Sequence, residues 1–109
     1  MIRHVAVFKF NDDMMPETID DIDNTLATLP DIIPEILTFR TGRDIGLTGG
    51  AWDYGVVADF ASSADYTTYA TNPDHVHMVK NVVGPHVKQS ARLQYECQTT
   101  DIRWQTPDV

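Results

Sequence analysis

The stretch Ile2-Arg3-His4-Val5-Ala6-Val7-Phe8-Lys9-Phe10 decides the fold. It reads as a strand, and because side chains along a strand alternate between faces, His4, Ala6, Phe8 and Phe10 share one side while Val5 and Val7 share the other. Both sides are largely apolar. A strand of this kind is covered on both faces. One layer of helices covers a single face, so the Val5/Val7 side calls for a second cover.

Outward from that strand, Pro16 and Glu17 open a helix in which Ile19, Ile22, Leu26 and Leu29 repeat at helical spacing. Asp20, Asp21 and Asp23 take its wet side, and Pro30 and Pro34 are expected to end it. Glu35 to Arg43, with Leu37 and Phe39 in alternation, reads as a second strand. Gly46, Gly49 and Gly50 mark a flexible loop before a third strand, Tyr54 to Phe60. Ser62 to Ala70 predicts a short helix carrying Tyr66 and Tyr69 three apart. The Asn72-Pro73 step restarts the helix as far as about Val83, with Val76, Val79 and Val83 inward and Gly84-Pro85 as the stop. Ala91, Leu93, Tyr95 and Cys97 then alternate with Arg92, Gln94 and Glu96 in a fourth strand.

The order β-α-β-β-α-β is the ferredoxin-like split, an α+β domain in which a four-stranded antiparallel sheet carries both helices on one face. The predicted domain is 1–97, and 98–109 is expected as a C-terminal tail, with Trp104 a candidate anchor on a partner subunit. Since Val5 and Val7 lie on the uncovered face, a second copy is expected there, making an isologous homodimer.

A chain of 109 residues is one domain. Eight basic against sixteen acidic residues give a net charge of −8, and no Lys/Arg cluster interrupts it. Such a surface repels a nucleic-acid backbone or an anionic membrane, so neither is an expected partner. The single Cys97 cannot form an internal disulfide, and Met1-Ile2-Arg3-His4 lacks the apolar stretch of a signal peptide, so a reducing, cytoplasmic setting is the expectation. No apolar run approaches the roughly 18 residues of a membrane span.

The run Tyr69-Ala70-Thr71-Asn72-Pro73-Asp74-His75 carries the chemistry. Asn72 is a favoured N-cap, Pro73 suits the first helical position, and Asp74 suits the positive end of the helix dipole. His75 therefore falls in the opening turn, where exposed N–H groups disfavour a second positive charge and keep the imidazole neutral near pH 7. A neutral imidazole can accept a proton or polarise a carbonyl. His75 and Tyr69 are the candidate catalytic residues. His4, Tyr54 and Val56 fall on one face of their strands and are expected to line a cavity between sheet and helices, with Trp52 as a further binding residue. The bland alternative makes His4 a buried, hydrogen-bonded histidine and gives Trp52 and Tyr54 core or lid packing. His75 and His77 are about 200° apart on a helix and cannot share one metal, Asp12-Asp13 and Asp20-Asp21 read as solvated faces, and His86 sits in a surface turn. No metal and no cofactor is expected.

Through Ile2-Arg3-His4-Val5 at the first strand, Tyr54 to Phe60, and Pro73-Asp74-His75 at the last helix, the sequence resembles the stress-responsive dimeric α/β-barrel domain family, from about Ile2 to Cys97. The resemblance implies a homodimer whose sheets pack face to face, with a small cavity in each subunit. In polyketide-cyclase members, which close a ring by an aldol-type step, a Tyr and a His flank the substrate, and the Pro-x-His step aligns them with Tyr69 and His75. A first-strand His of those enzymes aligns with His4, whereas their third-strand His is Tyr54 here. The family often has His before that proline, where this chain has Asn72. Two function classes follow: a cofactor-free cyclase or lyase acting on a ketide-like or aromatic compound, and a non-catalytic stress-responsive or ligand-binding dimer. A cofactorless monooxygenase of the wider dimeric-barrel superfamily is a third.

Overall fold

The computed structural model describes residues 1–98. Its elements are β1 (Ile2–Phe10), α1 (Pro16–Leu26), α2 (Leu29–Ile32), β2 (Ile36–Arg43), β3 (Tyr54–Phe60), α3 (Ser63–Thr71), α4 (Pro73–Met78) and β4 (Val87–Glu96), with a π-helical turn (Val79–Val83) and a 3₁₀ turn (Gly84–His86) between α4 and β4. The sheet is antiparallel in the order β2-β3-β1-β4. This is the split β-α-β-β-α-β arrangement expected from the sequence. The tail after Gln98, with Trp104, lies outside the described residues.

Residues opposite one another in an antiparallel pair share a face, so the register assigns the two sides. His4 stands opposite Ala58 and Gln94, and Ala6 opposite Val56 and Arg92. Together with Ile2, Phe8, Tyr54 and Phe60 they face the helices. There Ile22, Leu29, Ile33, Tyr54 and Phe60 are the largest fully buried side chains. Each apolar side chain so buried stabilises the fold by about 1.5–3 kcal/mol over an exposed one. The opposite side carries Val5, Val7, Val57, Ala91, Leu93 and Tyr95, and Leu93 is 59% exposed. That face also holds a part-buried ion pair. Arg3 Nε and Nη2 donate to Asp59 Oδ1 and Oδ2 at 2.8 and 3.1 Å, and Thr38 Oγ1 donates to Oδ2 at 2.6 Å. Burial pushes the Asp59 carboxyl up, but the Arg3 and Thr38 hydrogen bonds outweigh it and hold the group below its ordinary value.

Four local expectations change. The first helix stops at Leu26, and Pro30 opens α2 instead of ending α1, because a proline in a first turn lacks only an N–H that has no intrahelical partner. Leu37 is 55% exposed where the register shifts between Ile36 and Thr38, so the Leu37/Phe39 alternation is broken by a bulge. Of the three valines placed inward on the last helix only Val83 is buried, while Val76 and Val79 are each 47% exposed. β4 starts at Val87, four residues before the expected strand. The aspartates on the wet side of α1 are also more than solvated. Arg43, at the end of β2, pairs with Asp20 and with Asp23 Oδ2, the latter at 2.8 Å.

Candidate functional site

Two caps aim the candidate residues. Ser62 Oγ accepts from the Asp65 N–H at 3.2 Å and starts α3, which carries Tyr66 and Tyr69 toward the sheet. Asn72 Oδ1 accepts from the N–H groups of Asp74 at 2.9 Å and His75 at 3.4 Å, so a new helix starts one residue after α3 ends. The break swings His75 back over Tyr69, and their ring centroids lie 4.1 Å apart with planes tilted by 36°.

Burial lowers the His75 pKa below its ordinary value, against the opposing contact with the Ala70 carbonyl. Neutrality was expected from the helix terminus; in the folded chain desolvation is the leading cause. Nδ1 lies 3.4 Å from the Ala70 oxygen. A carbonyl only accepts, so this nitrogen carries the hydrogen and Nε2 keeps a lone pair. Burial also raises the Tyr69 hydroxyl pKa, with Tyr66 adding to it, so the phenol holds its proton.

Behind this pair lies an aromatic layer. His4 is 6% exposed, with its ring 5.2 Å from Tyr66 and 6.0 Å from Tyr69. Gln94 Nε2 donates to His4 Nδ1 at 2.8 Å. Desolvation, then the nearby His75 and Arg92, lower the His4 pKa to about 4. The bland reading of His4 as a buried, hydrogen-bonded histidine thus describes its surroundings well.

A half-enclosed cavity of about 550 Å³ opens between β1, β4 and the turn after α4. Val56 and His75 reach its wall, as expected. His4 and Tyr69 do not; they stand one ring back, in contact with the wall residues Tyr66 and His75. The remaining two expected binding residues lie elsewhere. Tyr54 donates its hydroxyl to Asp23 Oδ1 at 2.5 Å, and burial followed by this bond raises its pKa to about 12. It belongs to the Arg43–Asp23 network under α1. Trp52 is held on the other side of the sheet, with Lys9 Nζ 5.3 Å above its ring and Val7 and Val57 lining the same shallow groove. Its neighbour Asp53 accepts from the Phe10 N–H at 2.8 Å and donates its own N–H to the Phe8 carbonyl at 2.9 Å, which pins the loop to β1.

Sequence reasoning missed Tyr66, Lys80 and Arg92 on the wall. The Tyr66/Tyr69 spacing was a usable signal for the first; nothing local marks the other two. Among the described residues no group of three or more His, Cys, Asp and Glu side chains could hold a metal ion, and no helix is long and apolar enough to cross a membrane.

Comparisons with known proteins agree with this architecture. A dimeric ferredoxin-like protein from Thermobifida fusca is 31% identical, over 88% of this chain and 90% of its own, with a TM-score of 0.81. A member of the stress-responsive barrel family from Mesorhizobium loti is 25% identical, over 89% of this chain and 96% of its own, with a TM-score of 0.75. The hydroxynitrile lyase of Passiflora edulis, 21% identical over 91% of this chain and 94% of its own, shares the fold with a TM-score of 0.79. No curated protein sequence matches the chain. The model of the stress-responsive A/B barrel domain matches residues 2–97, and the chain belongs to that family.

Proposed function

We propose that this protein is a homodimer with a small-molecule cavity in each subunit, in which His75 and Tyr69 handle protons on an oxygenated, ketide-like or aromatic compound without a cofactor. The observation that carries the reading is the His75 ring at the cavity wall, neutral through burial, tilted against a Tyr ring 4.1 Å away whose phenol keeps its proton. Support for the dimer comes from the apolar face of Val5, Val7, Val57 and Leu93 and from the dimeric relative in Thermobifida fusca.

The chemistry is proton abstraction next to a carbonyl. His75 Nε2 takes the α-proton, the C–H electron pair moves into the enolate, and the Tyr69 O–H, one ring behind the wall, is the proposed donor to the oxygen that gains charge. The enolate then attacks a second carbonyl, closing a ring, or expels a leaving group; the His75 proton returns to the resulting oxyanion. That a related fold serves as a hydroxynitrile lyase in Passiflora edulis is consistent with lyase chemistry here.

The test is turnover of short linear polyketide thioesters. General base catalysis contributes about 10²–10⁴-fold, so His75→Ala should lose that factor while sedimenting and melting like the wild type. A variant that turns over at the wild-type rate, or a wild type inert toward every thioester, leaves the non-catalytic ligand-binding dimer as the reading.

A further inference from the structure

We infer that the cavity takes an amphipathic oxyanion, a small apolar body that ends in a carboxylate or phosphate held between Arg92 and Lys80. This rests on the proposed role of the cavity as the ligand site and adds the class of molecule that enters it. The wall is apolar where Phe8, Val56, Val76 and Val79 line it. Its two full charges are both positive and come from opposite sides, Arg92 from β4, opposite Ala6 in the register, and Lys80 from the π-helical turn. No Asp or Glu lines the cavity. In a chain of net charge −8 with twice as many acids as bases, a wall without a carboxylate is a departure from the composition.

The four ion pairs of the described residues involve Arg3, Arg43 and Lys88, and neither Arg92 nor Lys80 makes one. Arg92 shares the helix-facing row of β4 with Gln94, whose amide holds His4, and its charge disfavours protonation of that imidazole. An arginine that offers a planar fork of donors and a lysine that offers a point charge suit an oxyanion, and the apolar wall suits the carbon skeleton behind it.

The test uses two fluorescent probes of nearly the same body, anilinonaphthalene sulfonate and the uncharged N-phenylnaphthylamine, titrated into the full-length wild type and the Arg92→Gln/Lys80→Gln variant. The charge change should weaken the sulfonate by about tenfold and leave the neutral probe within about twofold. Added salt should weaken the sulfonate alone. Hexanoate or hexyl phosphate should displace the bound sulfonate at lower concentration than hexanol, and the better of the two names the oxyanion. Equal losses for both probes, no loss for the sulfonate, or hexanol competing as well as the two anions overturns the inference. Because His75 is intact and no probe is turned over, these outcomes are independent of whether the His75/Tyr69 chemistry is correct.

Discussion

The His75 imidazole rests on the Tyr69 ring at a centroid distance of 4.1 Å, and the two residues are joined by a helix break at Asn72 that both needs and explains that contact. A helix continuing through Asn72 would have carried His75 onward around its axis. The cap and proline restart the chain instead and fold the imidazole back over the phenol. Covered on this side, the imidazole should titrate below its usual value near 6.5. Tyr69→Ala opens the ring to water, and its NMR titration midpoint should rise toward about 6.5. An unchanged midpoint would show that Tyr69 is not what desolvates it.

Acid should destabilise the fold through His4. Its pKa is lowered to about 4 in the folded chain from an ordinary 6.5, so both states are neutral above that value and the site contributes no slope there. As pH falls from 6.5 to about 4 the unfolded chain takes up a proton that the folded chain refuses, and stability drops by on the order of 3 kcal/mol. Urea midpoints measured across this range should fall in the wild type and fall less in His4→Gln.

Gly84 closes the π-helical turn. A Cβ there would sit 2.5 Å from the Val79 carbonyl oxygen, so Gly84→Ala forces apart the turn that presents Val79 and Lys80 to the cavity. A loss of about 1–3 kcal/mol is expected in urea unfolding, along with weaker probe binding. Retention of both would mean the turn relaxes freely.

Val5→Asp/Val7→Asp should give monomeric or unfolded protein in sedimentation, since it places unpaired charges where the second copy is proposed to pack. A wild type that sediments as a monomer at micromolar concentration would remove the dimer from the reading.

Tyr54→Phe removes the hydroxyl that donates to Asp23 Oδ1 at 2.5 Å and leaves the carboxylate only its Arg43 partner on Oδ2. Thermal or urea unfolding should show a loss of about 1–3 kcal/mol. Probe binding should be unchanged, because Tyr54 is absent from the cavity wall.

The fold was legible in the sequence because its signals are local. Alternation along Ile2 to Phe10 needs only the strand period, and the Asn72-Pro73 break needs only the chemistry of a cap and a ring without an N–H; both hold in the folded chain. The pairing of Tyr69 with His75 follows from that break and was legible for the same reason. The role of Tyr54, by contrast, depends on Asp23, 31 residues away, and the side taken by Trp52 depends on how Asp53 ties its loop to β1. Arg92 and Leu93 alternate in the sequence without saying which faces the helices. Register with Ala6 decides it, turning the polar row of β4 toward the cavity and the apolar row outward. A strand's own period fixes which residues share a face, whereas the identity of the covered face is set by long-range pairing and by where the helices end.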